Sequence, residues 1–256
     1  KGKLETEELL ARSGMPWTSF RPTYIYGAGN YNPLEQFFFE RIHAGRPVCV
    51  PGYGGHLTGL GHVRDLAVAM ANVIGRPHCV GKTYNCQDDV AISFDGLVRA
   101  CAVAAGKPAS SVEIVHYNPK DFDFGKKKAF PLRPQHFWTD VELARRDLDW
   151  EPKYDTARGL RDAYENEFVH KAREGSLKND FECDDMILAA AKKQSASTPA
   201  PFASRSPVAA APAAPAAVAA PAASQAGGSY LDMLEGPSAA PAASGRGGSY
   251  MDSLGG

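Results

Sequence analysis

Apolar positions in this chain come in short bursts, spaced by two in some stretches and by three or four in others, and most bursts are closed by Gly, Pro or Asn. Leu4, Glu7, Glu8 and Leu10 follow helical spacing, which predicts a helix over residues 3–13 with Gly14 as its stop. Residues 17–21 read as a strand. Residues 22–32, rich in Gly, Asn and Tyr, are expected to form a loop. Asn32 and Pro33 are the expected cap and first residue of the next helix, whose apolar face is Phe37, Phe38 and Ile42 and whose end is Gly45. A short strand over 48–50 lies between Pro47 and Pro51. Asp65 then opens a helix carrying Leu66, Ala69, Met70, Val73 and Ile74. Residues 84–86 are strand-like, Ser93 caps a helix that runs to Ala105, Gly106 stops it, and residues 112–117 alternate as a strand. Thr139 and Glu142 have the spacing of a capping box for a helix ending at Leu148, and Leu160, Tyr164 and Phe168 stripe a last helix at every fourth position. Strand, loop and helix in this order are what an open α/β sheet uses to present a crevice at its strand ends, so the fold class is α/β.

From Ser195 onward the pattern disappears into Ala, Pro, Gly and Ser, which offer little large apolar surface to bury. Two units are therefore expected: an α/β domain over 1–194 and a disordered, semi-extended tail over 195–256. Within the tail, Gly227-Gly-Ser-Tyr-Leu-Asp-Met-Leu234 and Gly247-Gly-Ser-Tyr-Met-Asp-Ser-Leu254 repeat at a distance of twenty positions. A short docking motif used twice for avidity, with an unknown partner, explains that repetition.

Charge adds little globally. Taking Arg205 and Arg246 from the 28 Lys and Arg, and Asp232, Glu235 and Asp252 from the 29 Asp and Glu, leaves the folded stretch neutral, so nucleic-acid contact requires a local patch. The five cysteines are odd in number and not closely paired, and are expected to be small buried hydrophobes in a reducing compartment. No apolar run is long enough for a transmembrane segment, and Lys1 opens directly on a helical pattern, so the chain reads as lacking an N-terminal part.

The segment 116–138 supplies such a patch. It interleaves Lys120, Lys126, Lys127, Lys128, Arg133 and His136 with Tyr117, Phe122, Phe124, Phe130, Phe137 and Trp138. Cations neutralise phosphates while exposed rings stack unpaired bases, the combination that RNA loops require; the competing reading places the phenylalanines in the core. His62, Arg64 and Asp65 form a second polar group, read as a helix cap at Asp65 beside a buried, satisfied His62. Asp121, Asp123, Asp180, Glu182, Asp184 and Asp185 offer oxygen ligands for a divalent ion, but Asp184 and Asp185 sit where acids favour a helix N-terminus, and no Cys/His metal spacing occurs.

Five motifs follow one another along the chain: Lys3-Leu-Glu-Thr-Glu-Glu-Leu-Leu10, Arg21-Pro-x-x-x-Tyr-Gly27, His62-Val-Arg-Asp-Leu66, Tyr84-Asn85 and Leu148-Asp-Trp-Glu-Pro152. In this order they resemble the C-terminal part of the extended short-chain dehydrogenase/reductase superfamily, which includes NAD-dependent epimerases and dehydratases. Residues 20–33, 114–131 and 184–188 resemble, within it, the b-type chloroplast stem-loop-binding proteins.

That resemblance implies a Rossmann-like sheet with a small α/β substrate lobe, a plastid location, and RNA as partner, either a stem-loop, rRNA or mRNA. It further implies roles in RNA stability, rRNA processing or endonucleolytic cleavage, association with ribosomes, and oligomers with itself or a related paralogue. Lys3 would take the place of the catalytic lysine, whose tyrosine partner would fall two positions ahead of Lys1. Arg21, Pro22, Tyr24 and Tyr26 would border the nicotinamide end of an NAD(P) cofactor, with Asn30 and Asn32 also facing the crevice. This stretch alone demonstrates no cofactor site, although the full-length protein would have room for NAD(P). The rival reading is an NAD-dependent sugar-nucleotide epimerase or dehydratase.

Overall fold

The polypeptide is described here by a computed structural model that covers residues 2–197. Its strands are β1 Thr18–Pro22, β2 Tyr24–Tyr26, β3 Val48–Pro51, β4 Leu57–Thr58, β5 Leu60–His62, β6 Lys82–Cys86, β7 Ile92–Ser93 and β8 Ile114–Tyr117. The helices are α1 Gly2–Arg12, α2 Glu35–His43, α3 Val63–Asn72, α4 Phe94–Ala104, α5 Glu142–Leu148, α6 Thr156–Ala163, α7 Val169–Arg173 and α8 Glu182–Ser197. Strand β1 runs parallel to β6, β2 to β5 and β3 to β8, whereas β4 and β7 are antiparallel. Parallel neighbours need long crossovers, and helices supply them: α3 between β5 and β6, α4 between β7 and β8. The α/β class expected from the sequence is the one observed.

Three apolar clusters hold these elements. The largest joins Phe38, Phe39 and Ile42 of α2 to Leu97, Val98 and Cys101 of α4, with Tyr26, Phe94, Phe130, Leu160 and Phe168. A second gathers Tyr84, Leu148 and Trp150, and a third joins Cys49 and Tyr117 to Ile187 of α8. All five cysteines are buried and free, and burial pushes the Cys49 and Cys86 thiols up to about 12, which makes them inert space-fillers.

Several local expectations change in the folded chain. The 22–32 stretch holds strand β2, because Tyr24-Ile-Tyr26 finds a parallel partner in Leu60-Gly-His62. Helix α2 starts at Glu35 after Leu34, not at Asn32 and Pro33, and no side chain caps it. Val141 precedes α5, so the Thr139 capping box does not form; Asp140 accepts from the Glu142 amide instead. At α3 the roles reverse: the His62 ring accepts from the Arg64 amide and caps the helix, while the Asp65 carboxylate accepts from the Lys153 and Tyr154 amides at 3.0 and 2.9 Å. The striped helix at 156–173 is interrupted by a π turn over Tyr164–Phe168. Ser93 caps α4 as its sequence suggests. The tail octads lie outside the described residues.

Glu35, in the first turn of α2, is buried; one carboxylate oxygen accepts from the Gly27 amide at 2.9 Å and the other has no partner. Burial pushes this carboxyl from its ordinary 4.5 up to about 7, with Glu167 acting in the same direction and Lys171 against it. Burial likewise raises Asp88 to about 6. Because the folded value lies above the unfolded one, the stabilisation from Glu35 is complete in acid and is lost as pH rises from 4.5 through about 7. Glu35→Gln is therefore expected to be more stable than the parent at pH 8, by up to about 3 kcal/mol, and equal to it near pH 4.5. Urea unfolding at the two pH values measures this difference; equal stabilities at pH 8 would contradict it.

Candidate nucleic-acid interface

The basic and aromatic segment 116–138 folds as a strap across the domain. It begins in β8, where His116 faces Asp95 at 2.9 Å. It then divides into two exposed stretches separated by a buried middle, Ala129, Phe130 and Leu132. Phe130 packs edge-on against Phe37 and Phe38 and lies 5.1 Å from Phe94 between ring centroids. Tyr117 is buried, and Phe122 and Phe124 stack on each other against the third cluster. The expectation that these rings are exposed is thereby corrected: burying a phenylalanine stabilises by roughly 1.5–3 kcal/mol, and the neighbouring helices supply the apolar surface. Phe137 and Trp138 remain exposed, at 36% and 47%.

The cations stay outside. Lys120, Lys126, Lys127, Lys128, Arg133 and His136 are all exposed. Lys127 pairs with Glu182 and Asp180 at the start of α8, which holds its ammonium group above the usual lysine range. Lys128 donates to the Pro131 carbonyl at 2.7 Å, and His136 accepts from the Leu57 amide. Lys120 and Lys126 make no ion pair among the described residues. Beyond the strap, a groove of about 500 Å³ opens between Lys128 and Pro131 on one side and the 31–41 and 171–180 stretches on the other. It brings Tyr31, Lys171 and Lys178 beside Lys128, three residues the sequence reading did not select. Their separation along the chain hid them. A tyrosine in the polar turn Gly29-Asn-Tyr-Asn32 was the one local signal.

The other expected site residues disperse. Lys3 lies on α1, a helix with no buried residue, tied to the sheet through Glu7, which accepts from Ser19 and Arg21. The Arg21 guanidinium is committed to Glu7, and Pro22 ends β1. Tyr26 is fully buried, packed edge-on against His62, so it does not face a crevice. Tyr24 is half-buried and accepts from the Arg133 amide at 3.1 Å. Of the Arg21, Pro22, Tyr24 and Tyr26 set, the Arg21 charge is paired with Glu7 and Tyr26 is buried, which leaves the Tyr24 hydroxyl proton and the Arg21 Nη1 as the unused donors. Asn30 donates to the Ile25 carbonyl, and Asn32 caps back on Asn30.

His62 is sealed in: its ring stacks on Tyr154 at 3.9 Å, its Nε2 lies 3.2 Å from Asp162, and burial lowers its pKa despite that carboxylate. Its Nδ1 accepts from the Arg64 amide, but Nε2 and the facing Asp162 Oδ2 make no hydrogen bond, so the expected satisfied histidine is satisfied on one nitrogen only. Of the six acids considered for a metal ion, Asp184 pairs with Arg41, Asp185 with Arg46, and Asp180 and Glu182 with Lys127. No cluster of three metal-ligating side chains occurs among the described residues, and no helix there is long and apolar enough to cross a membrane.

Parallel strand pairs bridged by helices define the fold class as α/β, and the solved structures that share it are sugar-nucleotide epimerases and dehydratases of Rossmann-like architecture. Among solved structures, the chain superposes on an epimerase from Methanothermobacter thermautotrophicus with a TM-score of 0.55 at 19% identity, over 67% of this chain and 48% of that one. It also superposes on a dTDP-glucose 4,6-dehydratase from Bacillus anthracis solved with NAD, at a TM-score of 0.51 and 20% identity, over 65% and 50% of the two chains. No family model matches the sequence. The particular kinship lies elsewhere: the chain is a relative of the Arabidopsis thaliana chloroplast stem-loop binding protein of 41 kDa b, 52% identical over 190 residues, or 73% of this chain. It spans about half of that relative, 49% of its length. The chloroplast location expected from the motifs agrees with the relative's name.

Proposed function

We propose that this chain is part of a chloroplast RNA-binding protein in which a dehydrogenase-type scaffold carries RNA on the strap 116–138. The observation that carries the reading is the kinship to a stem-loop binding protein together with a strap whose rings anchor inward while its cations stay exposed. Exposed ammonium groups release counterions from phosphates, and Trp138 and Phe137 offer faces to unpaired bases. Stem-loop RNA is the substrate class, and the biological role is RNA stability or processing in the plastid, including ribosome-linked rRNA maturation and cleavage. The epimerase alternative draws on the shared motifs and the fold likeness, and of its expected cofactor wall Arg21 is ion-paired and Tyr26 buried.

Replacing Lys120, Lys126 and Lys128 together by Ala tests the reading, since none of the three holds an ion pair among the described residues. Affinity for an RNA hairpin is expected to fall about tenfold or more, and the slope of log affinity against log salt to flatten by about 2–3. Fluorescence anisotropy across a salt series reads both quantities. Unchanged affinity and slope would defeat the assignment of RNA to this surface.

A further inference from the structure

The groove beside the strap has the composition of a pocket for one nucleotide. Tyr31 is fully exposed, yet its loop is not loose: Gly29 donates its amide to Glu167 at 2.8 Å, Asn30 donates to the Ile25 carbonyl at 2.8 Å, and Asn32 donates its amide to Asn30 at 3.0 Å. A bulky ring held at full exposure by three hydrogen bonds is costly to leave in water and gains by being covered. Across the groove, the Lys178 amide donates to buried Glu40 at 3.1 Å, which fixes its backbone and leaves an exposed ammonium group without an ion-pair partner among the described residues. Lys128 supplies a second ammonium group from the strap.

The remaining charges are already used. Lys171 is bound to Glu167 and Gln36, Arg41 to Asp184, Asp180 to Lys127, and the buried Glu40 carboxylate to Gln36 and the Lys178 amide. What stays available is one aromatic face and two cations, in a space of about 500 Å³, within the range of small-ligand pockets. Resting on the RNA reading above, we infer that the groove takes a single unpaired nucleotide flipped from an RNA loop, its base on Tyr31 and its phosphate between Lys128 and Lys178. The strap lysines then carry the flanking backbone. The groove therefore admits looped RNA and not continuous duplex, because a paired base cannot reach the ring.

The test uses the whole 256-residue chain and two RNA probes, a hairpin with an unpaired loop and a blunt duplex of the same stem. Tyr31→Ala is expected to weaken hairpin binding about tenfold and leave duplex binding within about twofold, whereas Tyr31→Phe keeps the parent affinity. Lys178→Ala is expected to weaken both probes and flatten the salt slope by about one. Because Tyr31 is fully exposed, its replacement leaves the fold intact, and circular dichroism verifies this. Equal hairpin affinity in the parent and Tyr31→Ala, with the strap-lysine variant still impaired, overturns the pocket and leaves RNA binding standing. No hairpin binding by the parent, or no loss in any variant, overturns both.

Discussion

Arg41→Ala is expected to destabilise the domain by about 3–5 kcal/mol. Arg41 grips Asp184 through two nitrogens, at 3.2 and 2.6 Å, with side chains only 5% and 1% exposed. Its guanidinium also donates to the Phe37 and Asp180 carbonyls and lies 3.4 Å over the Phe37 ring. Removing the arginine strands a carboxylate where water does not reach, and the cost is that of an unpaired buried charge rather than of one contact. In thermal unfolding followed by circular dichroism, the midpoint should drop by roughly 10 °C for a domain of this size. The double replacement Arg41→Met with Asp184→Leu is expected to recover most of that loss, since paired buried ions are often neutral against apolar groups of similar size. A midpoint unchanged in Arg41→Ala would show that Asp184 finds water or another cation.

Phe130→Ala is expected to cost about 3–5 kcal/mol and, unlike the arginine change, to lower RNA affinity as well. The ring fills the junction of α2 and α4 through Phe37, Phe38 and Phe94. Its truncation leaves a cavity and frees the middle of the strap, so the basic stretches on either side lose their fixed spacing. Phe130→Leu keeps most of the volume and should cost under about 1.5 kcal/mol while retaining RNA binding. Urea unfolding and hairpin anisotropy on the same samples separate the two effects; full RNA affinity in a destabilised Phe130→Ala would show that strap geometry is irrelevant to binding.

These two residues also mark what the sequence makes legible. Local spacing was enough to place α1, β1, β3, α4 and β8 and to recognise Ser93 as a cap, because each depends on neighbours within one turn or one strand. It was not enough for the Arg41–Asp184 pair, whose partners stand 143 positions apart, nor for β2, which exists only because β5 lies beside it. The strap shows the limit most clearly. Its residue types announce a cationic, aromatic surface, but an irregular segment has no period from which to tell an inward ring from an outward one. Phe130 and Trp138 therefore look alike in one dimension and differ completely in three. The nucleotide groove assembles Tyr31, Lys128 and Lys178 from three separate stretches, and nothing in any one of them points to the other two.

The π turn at Tyr164–Phe168 acts as an indexing notch. A π turn accommodates an extra residue within a helix, so everything downstream is rotated by about 100° relative to an uninterrupted one. Glu167, inside the turn, holds the Gly29 amide and with it the Tyr31 loop, while Lys171, just beyond the turn, meets Gln36 of α2. Chain length in this short interval is thus a setting rather than slack: shortening it by one residue would mis-time a loop more than 130 positions upstream without touching a single side chain there.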